Sequence, residues 1–154
     1  GIMAKELKFI KFDSYMLMVN KVLVLDTSEV LTLTLNDKAI WSYMLSRYQY
    51  FKSFGNKYYE SQEEIGHKLG VSRDTVVSSI RKLKSIGALD YYKERKQGHV
   101  FKNIYTYVLP PHLIKGVKYF CSKGEVIFAK DFFVNTDVKN SSKAESNHQD
   151  LPLF

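Results

Sequence analysis

Cysteine is almost missing from this chain. Cys121 is the single cysteine in 154 residues, which excludes an internal disulfide and leaves no cysteine cluster for structural zinc. A reducing interior is the expected setting. Long apolar runs are missing too: stretches such as Tyr15–Val19 and Val22–Leu25 fall far short of the ~20 residues a membrane helix needs. The opening residues lack a secretory leader pattern, so a cytoplasmic protein with no membrane partner is expected, with Met3 as the expected native start. The four histidines, His67, His99, His112 and His148, are scattered without a His-x-x-x-His pair or an HExxH pattern, so no metal site is expected. Phosphate-cradling GxxxxGK[ST] and GxGxxG loops do not occur, no nucleotide or other cofactor is indicated, and no internal repeat is evident.

What is present fits one ordinary domain with appendages. The chain is 45% hydrophobic and 25% charged, enough for one core and too short for two full-sized ones. Lys and Arg number 23 against 16 acids, a net charge of +7, which favours a polyanionic partner.

Residues 3–35 form a strand-rich segment, with period-two alternation in Leu31-Thr32-Leu33-Thr34-Leu35. Two or three short strands are expected there. Asn36 or Asp37 then caps a helix near 37–52, in which Ile40, Met44, Leu45 and Tyr48 recur at helical spacing. Ser61-Gln62-Glu63-Glu64 is a capping-box pattern and starts a short helix over 61–69 that Gly70 stops. Ser72 caps another, whose stripe Val76, Ile80 and Leu83 ends at Gly87. Ala88–Glu94 and Val100–Leu109 read as a hairpin around Lys96-Gln97-Gly98-His99. Residues 110–134 are an extension in which a further hairpin, 117–121 with 125–129, competes with a helix over 113–120. Residues 135–150 hold only Val138 and Ala144 as apolar residues, too few to offset chain entropy, so 135–154 is expected to be a disordered tail.

The order of helix, capped helix, glycine turn, second capped helix and basic hairpin over 36–109 resembles a winged helix-turn-helix, as found in phage and plasmid replication proteins and in bacterial regulators. The resemblance is carried by the run from Ser61 to Leu89. Its implied fold is α+β: three helices plus a β-hairpin wing, with N-terminal strands and a disordered tail. Gly66 departs from the pattern, since such domains carry a small helix-favouring alanine there, and glycine weakens a helix by about 1 kcal/mol.

With Val76, Ile80 and Leu83 facing inward, the helical period turns Asp74, Val77, Ser78, Arg81 and Ser85 outward, with Lys82 at the border. Arg81 can grip guanine or phosphate, Ser78 can donate or accept, Val77 can meet a thymine methyl, and Asp74 can accept from cytosine. Ser72 and Arg73 lie at the helix N-terminus, placed to hold a phosphate that Asp74 would repel unless it accepts from cytosine, and Thr75 beside them is a further DNA-binding candidate. The wing adds Lys93, Arg95, Lys96 and His99, with Lys102 behind. From His67 to Lys102 there are nine Lys or Arg against three acids, while the rest of the chain has 14 against 13. The excess charge therefore falls where a winged helix meets duplex DNA. A merely solvated basic face and a protein-binding winged helix are the competing readings.

Gln149, Leu151, Leu153 and Phe154 at the chain end resemble the bacterial sliding-clamp-binding peptide, in a variant one residue longer than the commonest form. The resemblance implies a clamp partner, recruited through a tether of about 14 residues with a reach of roughly 20 Å. Docking of the tail onto its own domain is the competing reading. The N-terminal strands are a candidate homodimerisation element, because sequence-specific winged helices often need two half-sites.

Aromatics make up 14% of the chain, clustered at Tyr43, Tyr48, Tyr50, Phe51 and Phe54 and at Tyr58-Tyr59, Tyr91-Tyr92 and Tyr105-Tyr107; stacking on unpaired bases is one reading, and core packing and strand faces explain most of them more cheaply. Asp90 followed by Glu94-Arg95-Lys96 weakly imitates a nuclease, but both acids would lie on one strand whereas metal-dependent cleavage needs convergent ligands. The expected function is non-enzymatic: sequence-specific duplex DNA binding in replication initiation or another clamp-coupled transaction. A transcriptional repressor is the first alternative and a small nuclease a weaker one.

Overall fold

A computed structural model describes residues 14–95, 98 and 101–128. The protein is a mixed α+β fold. Among the described residues the order is α1 (Ser14–Met18), β1 (Lys21–Val24), β2 (Glu29–Thr32), α2 (Leu35–Ser53), β3 (Tyr58–Tyr59), α3 (Gln62–Leu69), α4 (Arg73–Ser85), β4 (Leu89–Arg95), β5 (Phe101–Val108), a short 3-10 turn at Pro111–Leu113, β6 (Val117–Phe120) and β7 (Val126–Ile127). No helix of the described residues is long and apolar enough to cross a membrane.

The alternation at Leu31–Leu35 marks a strand only as far as Thr32. Thr34 caps α2: its hydroxyl accepts from the Asp37 amide, and the Asp37 carboxylate accepts from the Thr34 amide at 2.8 Å. Neither Asn36 nor Asp37 is the cap; Asp37 is the returning partner in the box. Leu35, the last member of the alternation, is consequently 71% exposed on the first helical turn. The N-terminal segment holds a helix that the strand reading missed. In α1 the buried Tyr15 and Met16 with Val19 plug the core, and a short apolar run alone cannot separate one helical turn from a strand.

Antiparallel strands form two sheets, ordered β2-β1-β6-β7 and β3-β5-β4. In the first, β1 pairs with β2 on one side and with β6 on the other, Val22 lying opposite both Leu31 and Tyr119. The described parts of the N-terminal segment and of the extension, through β1 and β6, therefore meet in one sheet, and Val117–Phe120 is a strand rather than part of a helix. In the second, the two-residue β3, unforeseen in the sequence, pairs Tyr58 with Tyr105 and Tyr59 with Ile104. The packed core runs through both units: Tyr15, Val22, Trp41, Met44, Ile65, Val76, Ile80, Leu83, Leu89 and Tyr105 are all buried. Trp41 donates from Nε1 to the Leu109 carbonyl at 2.8 Å, fastening α2 to the end of β5.

Candidate nucleic-acid interface

The α3–turn–α4 pair is fixed by its caps. Ser61 and Glu64 close the capping box of α3, Gly70 ends it in the left-handed conformation, and Ser72 accepts from the Thr75 amide to start α4. Gly66 explains its own departure from the alanine pattern. Gly66 carbonyl accepts from both the Gly70 and Val71 amides, and a Cβ on Gly66 would stand 2.6 Å from the Val71 carbonyl oxygen. The turn folds back so closely that only glycine fits without a backbone shift.

Val76, Ser79, Ile80 and Leu83 are the buried face of α4. Asp74, Ser78, Arg81 and Ser85 are exposed, Val77 and Thr75 half-buried. Arg73 is exposed and faces Asp74 at 3.7 Å. The Ser72 and Thr75 hydroxyls lie 2.9 Å apart. Arg81 is solvent-exposed, and its guanidinium has no carboxylate partner among the described residues.

Lys82 has partners within the protein itself. Its ammonium donates to the Asp37 carboxylate at 2.6 Å and to the Thr32 carbonyl at 2.7 Å, and Ser79 donates to the other Asp37 oxygen at 2.6 Å. Asp37 is only 3% exposed. Burial alone would raise its pKa, but the bonds from Lys82, Ser79 and the Thr34 amide, with the Lys82 charge, hold it below the usual aspartate range. Lys82 thus ties α4 to α2 and the end of β2. A groove of about 310 Å³ opens beside this tie, lined by Asn36, Asp74, Thr75 and Ser78 among others.

The hairpin distributes its cations over both faces. Residues directly opposite on antiparallel strands share a face, and the register sets Lys93 against Asn103, Glu94 against Lys102 and Arg95 against Phe101. Lys93 and Arg95 therefore share the side of Tyr91, which lies against Lys84 of α4, while Lys102 points to the other side. Lys93 donates to Asn103 at 3.3 Å and Arg95 to the Gly98 carbonyl at 2.9 Å. Lys96 and His99 lie outside the described residues, as do the tail 135–154 and the terminal Gln149, Leu151, Leu153 and Phe154. Asp90 faces Lys84 at 3.4 Å and Glu94 faces Lys57 at 3.6 Å, so these two acids serve different ion pairs four residues apart. No cluster of three or more metal-ligating side chains occurs among the described residues.

Sequence reasoning missed Glu60, the polar centre of the interior. Buried to 5% exposure, its carboxylate accepts from the Tyr43 hydroxyl at 2.6 Å and the Tyr58 hydroxyl at 2.9 Å, with Lys68 at 3.3 Å and Arg47 at 3.8 Å. Burial, reinforced by this carboxylate, pushes Tyr58 well above the usual tyrosine range. The available signal was an acid wedged between a Tyr-Tyr strand and a helix cap.

The fold and this polar architecture define a mixed α+β protein with a capped helix pair beside a hairpin. The chain belongs to the family described as a domain of unknown function, DUF6945, whose model matches residues 17–98. No curated protein matches the chain.

Proposed function

We propose that this protein is a sequence-specific duplex-DNA-binding winged-helix protein of a bacterium, phage or plasmid, acting in replication initiation or another clamp-coupled DNA transaction. In this reading α2, α3 and α4 are the three helices, β4 and β5 the wing, and α4 enters the major groove. Arg81, Ser78 and Val77 address base edges; Arg73 and Ser72 hold a phosphate at the helix N-terminus, with Asp74 and Thr75 beside them; Lys93 and Arg95 hold the backbone from the wing. Lys82 supports α4 from behind.

The observation that carries the reading is Arg81: an exposed guanidinium on the outward face of a doubly capped helix, with no carboxylate partner among the described residues. Neighbouring cations have acidic or carbonyl partners, so an unneutralised arginine at this position suits an anionic ligand. Arg81→Ala is expected to weaken duplex binding about tenfold or more and to lower the salt slope by about one. Duplex binding that ignores salt, or an Arg81→Ala variant with undiminished affinity, removes the reading. The terminal peptide would recruit a sliding clamp; deletion of Leu153-Phe154 is then expected to abolish clamp pull-down with DNA affinity unchanged. Mapping bound genomic fragments separates the two processes: short repeats beside an origin favour initiation, and a promoter favours repression.

A further inference from the structure

The three-stranded sheet has a second face that the duplex reading leaves unused. Tyr58, Tyr91 and Tyr105 pack ring against ring on the helix side. The register places Tyr59, Tyr92, Glu94, Lys102 and Ile104 on the opposite side. Tyr59 and Tyr92 are 44% and 42% exposed there, whereas Ile104 is buried at 3% although it stands outside the core cluster. Its burial therefore comes from its neighbours on this outer face. A groove of about 350 Å³ adjoins it, lined by Tyr48, Lys52, Asn56, Lys57, Tyr92 and Thr106 among others, within the size range of ligand sites.

Cations are interleaved with these rings. Lys102 Nζ lies 3.5 Å from the Tyr59 ring centroid and Lys52 Nζ 5.9 Å from that of Tyr48. Lys57 stands 3.6 Å from Glu94, and the Tyr92 hydroxyl together with that carboxylate holds its ammonium above the usual lysine range. Lys57 and Lys102 thus stand with the single acid Glu94 beside the exposed Tyr59 and Tyr92, and Lys52 lines the adjoining groove beside the half-buried Tyr48. In a duplex the base planes are already stacked on one another, so an open tyrosine ring has nothing to stack on. Unpaired bases offer their faces, and their phosphates need nearby cations.

We propose that this outer face and groove bind an unpaired DNA strand, with Tyr92 stacking on a base and Lys52, Lys57 and Lys102 neutralising phosphates. The choice of DNA over RNA rests on the duplex reading, because the same hairpin would hold both; the stacking site itself does not.

Fluorescence anisotropy of the full chain with a labelled oligothymidylate of about ten nucleotides tests it. Tyr92→Ala is expected to weaken this binding about tenfold while Tyr92→Phe keeps it, because the ring and not the hydroxyl stacks. Arg81→Ala is expected to leave oligothymidylate affinity unchanged and to weaken duplex affinity alone, so the two sites fail separately. Unchanged binding by Tyr92→Ala, or equal loss with phenylalanine, overturns the proposal, and tighter binding of oligouridylate overturns the choice of DNA. Should Tyr92→Ala unfold at the assay temperature, Lys102→Glu decides: a loss of about fivefold supports the site and an unchanged affinity refutes it.

Discussion

Gly66 illustrates how a residue that weakens a helix in isolation can be required by its packing. Alanine at this position gains about 1 kcal/mol of helix propensity but places a methyl 2.6 Å from the Val71 carbonyl oxygen, and the backbone must move to relieve it. The clash outweighs the propensity. Gly66→Ala is therefore expected to lower stability by about 1–2 kcal/mol, read as a drop of roughly 2–8 °C in Tm. Lys82 is the matching case among the charged residues. The helical period alone puts it at the border of the exposed face, and no local pattern reveals that a carboxylate forty-five positions earlier will claim it. Because Asp37 is held below its unfolded pKa, its contribution to stability is full above about pH 4 and disappears as pH falls through the folded value. Asp37→Asn should flatten that acid limb in unfolding curves recorded from about pH 2 to pH 6.

At the scale of elements, the caps were the most legible part of the sequence. Ser61, Gly70 and Ser72 each mark a boundary that depends on a few adjacent residues, and α3 and α4 begin and end beside them. The stripe Val76, Ile80 and Leu83 is buried for the same reason: helical period fixes one face once the helix exists. Features set by distant partners were illegible. The two-residue β3 exists because β5 offers it an edge, and α1 exists because Tyr15 packs on Tyr119 of β6 and bonds the Ile127 carbonyl of β7 while Met16 meets Ser42 of α2. Glu60 links several elements at once, with Tyr43 and Arg47 from α2, Tyr58 from β3 and Lys68 from α3. Glu60→Ala removes the carboxylate that accepts from the Tyr43 and Tyr58 hydroxyls and faces the Lys68 and Arg47 cations, and is expected to cost about 3 kcal/mol, measurable by urea unfolding. Of the candidate interface, α4's outward residues were legible, whereas the division of hairpin cations between two faces depends on strand register, which no single strand encodes.

For the whole molecule, the span matched by the family model stops before two strands on which the rest depends. It ends at residue 98, yet β5 is the central strand of its sheet and β6 is the inner neighbour of β1. A chain cut after Arg95 retains every helix described here but loses the partner of β3 and β4 and the carbonyl that receives the Trp41 proton. Such a fragment is expected not to fold. Circular dichroism without a cooperative melt, and Trp41 emission shifted to the red of the full chain's, would show it; a cooperative transition with buried-tryptophan emission would contradict the expectation.

The pairing of β1 with β6 also orders events in time. During synthesis, Lys21–Val24 leaves the ribosome long before Val117–Phe120, so the first hairpin must wait with one edge bare while the helices assemble. At 5–20 residues per second that wait is on the order of ten seconds. For that interval the newborn chain offers a strand edge to any neighbour, and crowded polysomes are where its misassembly would begin.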